Sequence, residues 1–207
     1  MYKLYYSPGA CSMAVHVALN ECNQQVALEK VSLQEPRTPE FLKVNPRGQV
    51  PVLVDGDLVI REGAAMLIYI LEKHQSPLLP KSGRERAVAL EWLMFCNATL
   101  HPAYARCFFL MKNAKDEAKE QLLGTALAML NKLWAEVEQR LGQSKYLAGD
   151  SITMADILLT VIANWGGNLP AKPQIGANTK RMLQDVIARA AYKKALEEEK
   201  VEYKAAA

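Results

Sequence analysis

The sequence lacks a membrane-spanning run, a paired-cysteine motif and a marked excess of either charge. A span needs ~20 predominantly apolar residues. The uncharged run from Ile157 to Ala171 is shorter and holds a Gly-Gly pair, two Asn and a Pro, so it is not one. The opening residues read as a strand and lack a signal peptide's apolar segment. A cytoplasmic chain with no membrane partner is therefore expected. Among the four cysteines, Cys11, Cys22, Cys96 and Cys107, no two form C-x-x-C, and Ala14 stands three residues past Cys11. That excludes a dithiol redox motif and a zinc knuckle, and no metal is expected. Cys11 and Cys22 are 11 residues apart, as are Cys96 and Cys107. Eleven helical residues rise ~16 Å, whereas a disulfide needs Cα atoms within ~7 Å. If those stretches are helical, neither pair bridges, and reduced thiols in a reducing compartment follow. Cys22, Cys96 and Cys107 read as small buried hydrophobes. Net charge is +3, and residues 1–83 carry 8 basic and 8 acidic residues. No stretch is basic enough to track a phosphate backbone, so no nucleic-acid partner is expected.

What is present suits a folded protein. Half of the 207 residues are hydrophobic and 23% are charged, ample for a core and unlike a disordered chain. Tyr2 to Tyr6 reads as a strand, Ser7-Pro8-Gly9-Ala10 as a turn, and Cys11 to Cys22 as a helix. Val26 to Leu33 alternates like a strand, and Pro39 to Val44 suits a short helix opened by Pro. Pro51 to Asp55 and Leu58 to Arg61 read as strands joined at Asp55-Gly56, a hairpin signal. A helix then covers Glu62 to His74, with Ala64, Leu67, Ile68 and Leu71 on one face. Gln75 to Gly83 reads as a linker, and everything after it as helical. Arg84 to about Lys112 makes one helix or two, and Asp116 to Leu141 carries an apolar stripe through Leu123, Leu130, Trp134 and Val137. A further helix starts at Thr153, where Thr153 and Asp156 form a structural capping box and Ile152 with Ile157 a hydrophobic staple. Residues 179–190 and 192–199 complete the set. The pattern is α/β followed by all-α.

Three stretches bear chemistry. Cys11 follows a strand and a tight turn at a helix N-terminus, where unpaired N–H groups favour a thiolate. The same position equally suits a helix cap or small core residue. In Asn45-Pro46-Arg47-Gly48-Gln49-Val50-Pro51, a polar loop enters a buried strand. Pro51 has no N–H, which leaves the Val50 backbone free to pair with a peptide-like ligand, or else this is an ordinary loop-to-strand entry. In Arg61-Glu62-Gly63-Ala64, a helix N-terminus offers a carboxylate site and Glu62 an ammonium site. Alternatively, Glu62 only complements the helix dipole.

Together these motifs, with Glu91-Trp92-Leu93 and the Thr153–Asp156 box, resemble the soluble glutathione S-transferases, the bacterial beta class in particular, over residues 1 to about 165. The resemblance implies a thioredoxin-like domain (1–80) that binds glutathione, followed by an all-helical domain (84–207) lining an electrophile site. It implies a homodimer that conjugates glutathione, as co-substrate and with no other cofactor, to small hydrophobic electrophiles. Carried over, Cys11 faces the glutathione sulfur, Val50 pairs with the cysteinyl part ahead of a cis Pro51, and Glu62 and Gly63 hold the γ-glutamyl end. His101 reaches toward the thiol from the second domain, and Ala98 and Thr99 line the same cleft. Two positions depart from the pattern: Pro102 replaces the Lys usual after that histidine, and Arg37 is the residue available for the glycyl carboxylate. His16 and His74 receive no role beyond an exposed or structural one. The rival activity is monothiol disulfide reduction, or peroxidase activity, through Cys11. A non-catalytic binding module is a third, disfavoured by the retained Cys11, Val50-Pro51 and Glu62.

Overall fold

A computed structural model of the chain describes residues 1–206. It shows a thioredoxin-like region with a four-stranded sheet in the order β2-β1-β3-β4, followed by a helical region. The strands are β1 (Tyr2–Tyr6), β2 (Val26–Lys30), β3 (Val52–Asp55) and β4 (Leu58–Ile60). β1 runs parallel to β2 and antiparallel to β3, which pairs antiparallel with β4. Asp55 pairs with Leu58, so Gly56-Asp57 is the hairpin turn, and Gly56 takes φ +63 there. The period of two is visible in β1. Tyr2, Leu4 and Tyr6 face the main core, while Tyr5 packs on the opposite face with Phe41 and Val52.

The helices α1 (Ser12–Glu21) and α3 (Gly63–Lys73) pack against one another over the main core, and α2 (Pro39–Val44) seals the small cluster beneath Tyr5. The predicted strand from Val26 to Leu33 stops at Lys30, after which Ser32 to Pro36 turn away as a loop. All four cysteines are free; Cys96 and Cys107 are buried, whereas Cys22 is half-buried at the end of α1.

The helical region holds α4 (Gly83–Met94), α5 (His101–Asn113), α6 (Asp116–Gln143), α7 (Met154–Ala163), α8 (Ala177–Ile187) and α9 (Ala190–Glu199). Every residue of α7 is buried, so this helix is covered on all sides and central to the region. Its start is fixed as the sequence predicts. The buried Asp156 carboxylate accepts hydrogen bonds from the N–H groups of Thr153 (2.8 Å) and Leu147 (2.9 Å) and from the Thr153 hydroxyl (3.0 Å). Burial pushes the carboxyl up to about 6, against the opposing pull of those donors.

The segment from Arg84 to Lys112 resolves into two α-helices joined by a π-helical stretch, Phe95–Leu100. Pro102 supplies the cause. It has no N–H to offer the Ala98 carbonyl, and in an α-helix its ring would press on that carbonyl. The chain widens by one residue ahead of it: the His101 N–H reaches the Cys96 carbonyl instead of that of Asn97. Helix α5 then carries Pro102 in its first turn, where a missing N–H is tolerated. Among the described residues no helix is long and apolar enough to cross a membrane.

Candidate active site

Between the two regions lies a cleft of about 650 Å³. Its first wall is largely backbone. Ser7-Pro8-Gly9-Ala10 forms a tight turn closed by the Ala10 N–H on the Ser7 carbonyl at 3.0 Å, with Gly9 at φ +68. Pro presets the second position and only Gly takes that φ without strain at the third. The Ser12 hydroxyl locks the turn further, accepting from the Ser7 N–H and donating to the Ser7 carbonyl, both at 3.2 Å.

Gly9 is held at both ends by the helical region. Its N–H donates to the buried Glu199 carboxylate at 2.9 Å, and its carbonyl accepts the Trp165 indole N–H at 2.7 Å. Glu199 also bonds His16 Nδ1 at 3.0 Å, while His16 Nε2 meets Glu198 at 2.8 Å. His16 is therefore fully buried and structural, not exposed. Its ring stands between two carboxylates and couples α1 to α9. His74 is half-buried and bonds the Tyr2 hydroxyl at 2.8 Å.

Cys11 opens α1, and its thiol lies 3.9 Å from the Val50 carbonyl oxygen, a weak bond. The residue is half-buried and lines the cleft. Burial pushes the thiol up to about 11; the N–H groups of Cys11 and Ser12 oppose this, and the charge of Glu62 adds to it. The field of the helix end favours a thiolate, yet desolvation is the larger effect. In this state Cys11 carries its proton near neutral pH.

Val50-Pro51 is a cis peptide. The preceding loop is organised by the buried Asn45, which donates to the Gln49 carbonyl at 2.7 Å and accepts from the Arg47 N–H at 3.3 Å. Arg37 braces the same loop. Its guanidinium donates to the carbonyls of Gly48 (2.7 Å), Glu35 (2.8 Å) and Ser32, so most of its donors are already engaged by the protein. Glu62 precedes α3, and its side chain is exposed and paired with Arg47 at 2.8 Å. Such an exposed pair contributes little stability and is free to exchange partners.

The second wall is made of side chains. His101, Pro102, Ala105 and Phe108 line it from α5, with Asn97 one turn earlier and Leu158 and Trp165 behind. The His101 ring meets Trp165 edge to face at 4.8 Å, and burial lowers its pKa, which favours the neutral ring. The cleft thus unites Cys11, Val50, Pro51, Glu62, Gly63, Arg37 and His101. It does not include Ala98 and Thr99. Both are exposed on the outer side of the π-helical stretch, and Asn97 occupies the inner position. Sequence reasoning also missed Trp165, Glu199 and Leu33. Asn97 stands four residues before His101, a spacing that could have flagged it; no local signal marks the others.

The match to known proteins decides the family. Residues 2–78 match the glutathione S-transferase N-terminal domain, and residues 100–190 match the glutathione S-transferase C-terminal domain. The chain belongs to the glutathione S-transferases. A glutathione S-transferase of Xanthomonas campestris pv. campestris is 33% identical over 91% of this chain and 96% of its own. The structure of the Xylella fastidiosa glutathione S-transferase superposes with a TM-score of 0.89 at 26% identity, covering 98% of this chain and 100% of that one. A sphingomonad glutathione S-transferase, solved in complex with glutathione, gives a TM-score of 0.82 at 28% identity, covering 97% of this chain and 100% of that one. As a glutathione transferase the chain is an enzyme; its first cleft wall falls in the N-terminal match and its second, apart from Asn97, in the C-terminal match.

Proposed function

We propose that the enzyme binds glutathione along the first wall and transfers its thiolate to a small hydrophobic electrophile held against the second. The observation that carries the reading is the convergence of Cys11, the cis Val50-Pro51 peptide and the α3 N-terminus opposite His101 and an apolar strip. Val50 would pair with the cysteinyl part, the N–H groups of α3 would take the γ-glutamyl carboxylate, and Glu62 would exchange Arg47 for the ligand ammonium. Arg37 would meet the glycyl carboxylate through Nη2, the nitrogen its loop contacts leave unused. The sulfur would then lie at the α1 N-terminus. There the Cys11 S–H and the backbone N–H groups donate to the forming thiolate, and the neutral His101 ring accepts its proton. Glutathione is thus a co-substrate, and the reaction proposed needs no other cofactor. The functional division is placed at 1–80 and 84–207, in a cytoplasmic beta-class homodimer. Small domains with limited cores of their own favour such association.

Monothiol disulfide exchange through Cys11 is the second reading. The protonated thiol argues against it, because the thiolate is the attacking species in exchange. The test is one panel: purified enzyme with glutathione and 1-chloro-2,4-dinitrobenzene, a hydroperoxide, or a glutathione mixed disulfide. Conjugation without disulfide reduction is expected. The reverse pattern would replace the first reading by the second. Sedimentation should give a species of about 46 kDa, twice the 23.0 kDa chain; a single 23.0 kDa species would refute the dimer.

A further inference from the structure

The helical wall carries two polar side chains that the scheme above leaves unused, the exposed Asn168 and Asn97. Asn97 lines the cleft and is half-buried. Among the described residues its carboxamide has no hydrogen-bond partner. A half-buried amide that no protein group pairs is available to a ligand that enters the cleft.

Its position follows from its spacing. Asn97 stands four residues before His101, so the two side chains share one face of the rod, and both line the cleft. Along that face Ala105 and Phe108 lie one and two turns beyond His101, with Pro102 beside them. The apolar strip is therefore on one side of His101 and the carboxamide on the other. An electrophile packed on Pro102, Ala105 and Phe108 is separated from Asn97 by the His101 ring. The group left for Asn97 is the polar co-substrate.

An extended peptide presents amide groups on both edges. Val50 can pair with only one of them, as an added strand would. A carboxamide offers one acceptor oxygen and two N–H donors, the complement of a peptide amide. We propose that Asn97 is a further glutathione-binding residue, whose carboxamide hydrogen-bonds the edge of the tripeptide that Val50 leaves unpaired. The contact comes from the helical region, so it would close the second wall onto the peptide as well as onto the sulfur. It rests on the glutathione reading above.

The full-length wild type, Asn97→Ala and Asn97→Asp are compared by calorimetry with glutathione and with S-methylglutathione, which has no ionisable thiol. Steady-state kinetics with 1-chloro-2,4-dinitrobenzene accompany the binding data. Asn97→Ala should weaken both ligands about tenfold, the size of one neutral hydrogen bond. The KM for the electrophile and kcat at saturating glutathione should stay within about twofold. Asn97→Asp keeps the shape, deletes both donors and sets a negative charge beside an anionic tripeptide, so it should weaken binding further. It also serves if the alanine variant melts early. Unchanged affinity in either folded variant overturns the assignment. So does a loss confined to glutathione, which would place Asn97 on the thiol, or a rise only in the electrophile KM. Wild-type enzyme that binds neither ligand would overturn the transferase reading itself; wild-type binding with unaffected variants overturns the Asn97 assignment alone.

Discussion

The two walls of the cleft are built from different materials. The thioredoxin-like wall presents backbone: a turn bent at Gly9, the cis Val50-Pro51 peptide, and the N-terminus of α3. The helical wall presents side chains: Asn97, His101, Pro102, Ala105, Phe108 and Trp165. Backbone sites depend on a few Gly and Pro residues with narrow conformational preferences. Side-chain sites depend on the rotation of a helix about its axis, which one widened turn alters. The first wall is thus fixed by local chemistry, and the second by register. Yet neither stands alone, since Glu199 and Trp165 hold Gly9 from the helical side.

The largest effect tests whether the α1 end activates its thiol. With the Cys11 thiol raised to about 11, its thiolate fraction climbs tenfold per pH unit below that value. Alkylation of Cys11 by iodoacetamide should therefore rise about thousandfold between pH 7 and pH 10, followed by peptide mapping. A plateau near pH 8 would show that the helix end outweighs burial and that the first wall is activated as its motif alone suggests.

Breaking the helical wall at its centre comes next. Asp156→Ala removes an acceptor of three bonds and leaves two buried N–H groups unpaired. The cost is about 3 kcal/mol, or ~10 °C in melting temperature for a chain of this size. Glutathione affinity per folded molecule should hardly change, because the first wall does not depend on α7 for its backbone groups. The same residue has a pH signature. Its folded value of about 6 lies above the ordinary 3.8, so the protonated form is favoured in the fold. That contribution is complete below pH 3.8 and is lost as pH rises through about 6. Asp156→Asn, neutral throughout, should flatten the decline in denaturant midpoint between pH 4 and 6; equal slopes would refute it.

The smallest effect probes the seam. Trp165→Phe keeps an aromatic ring against His101 and Tyr104 but deletes the donor to Gly9. One hydrogen bond at ~1 kcal/mol predicts about a fivefold lower kcat/KM with a melting temperature only slightly reduced. A large stability loss with unchanged kcat/KM would make Trp165 a core residue and not a tie between the walls.

Much of the first wall was legible because its signals are local. The β1 strand, the Pro-Gly turn, the helix start at Pro39 and the hairpin at Gly56 each follow from residues within a few positions of one another. The Thr153–Asp156 box was legible for the same reason. The second wall was legible only in part. His101 was found, but Ala98 and Thr99 were expected inside and face outward, because Pro102 shifts the preceding turn by one residue. Arg37 was found in the cleft, though its bonds to three loop carbonyls lay outside any local pattern.

The sequence by itself determined the order of elements and the backbone turns. These rest on hydrophobic period and on the φ limits of Gly and Pro, all properties of neighbours in the chain. Only the tertiary structure decided the rest. It half-buried Cys11 so that desolvation exceeds the field of the helix end. It set His16 between Glu198 and Glu199, brought Trp165 to Gly9, and turned Asn97 inward in place of Ala98. Each outcome depends on groups distant in sequence, or on helix rotation within the packed protein, and burial and rotation are settled by packing as a whole.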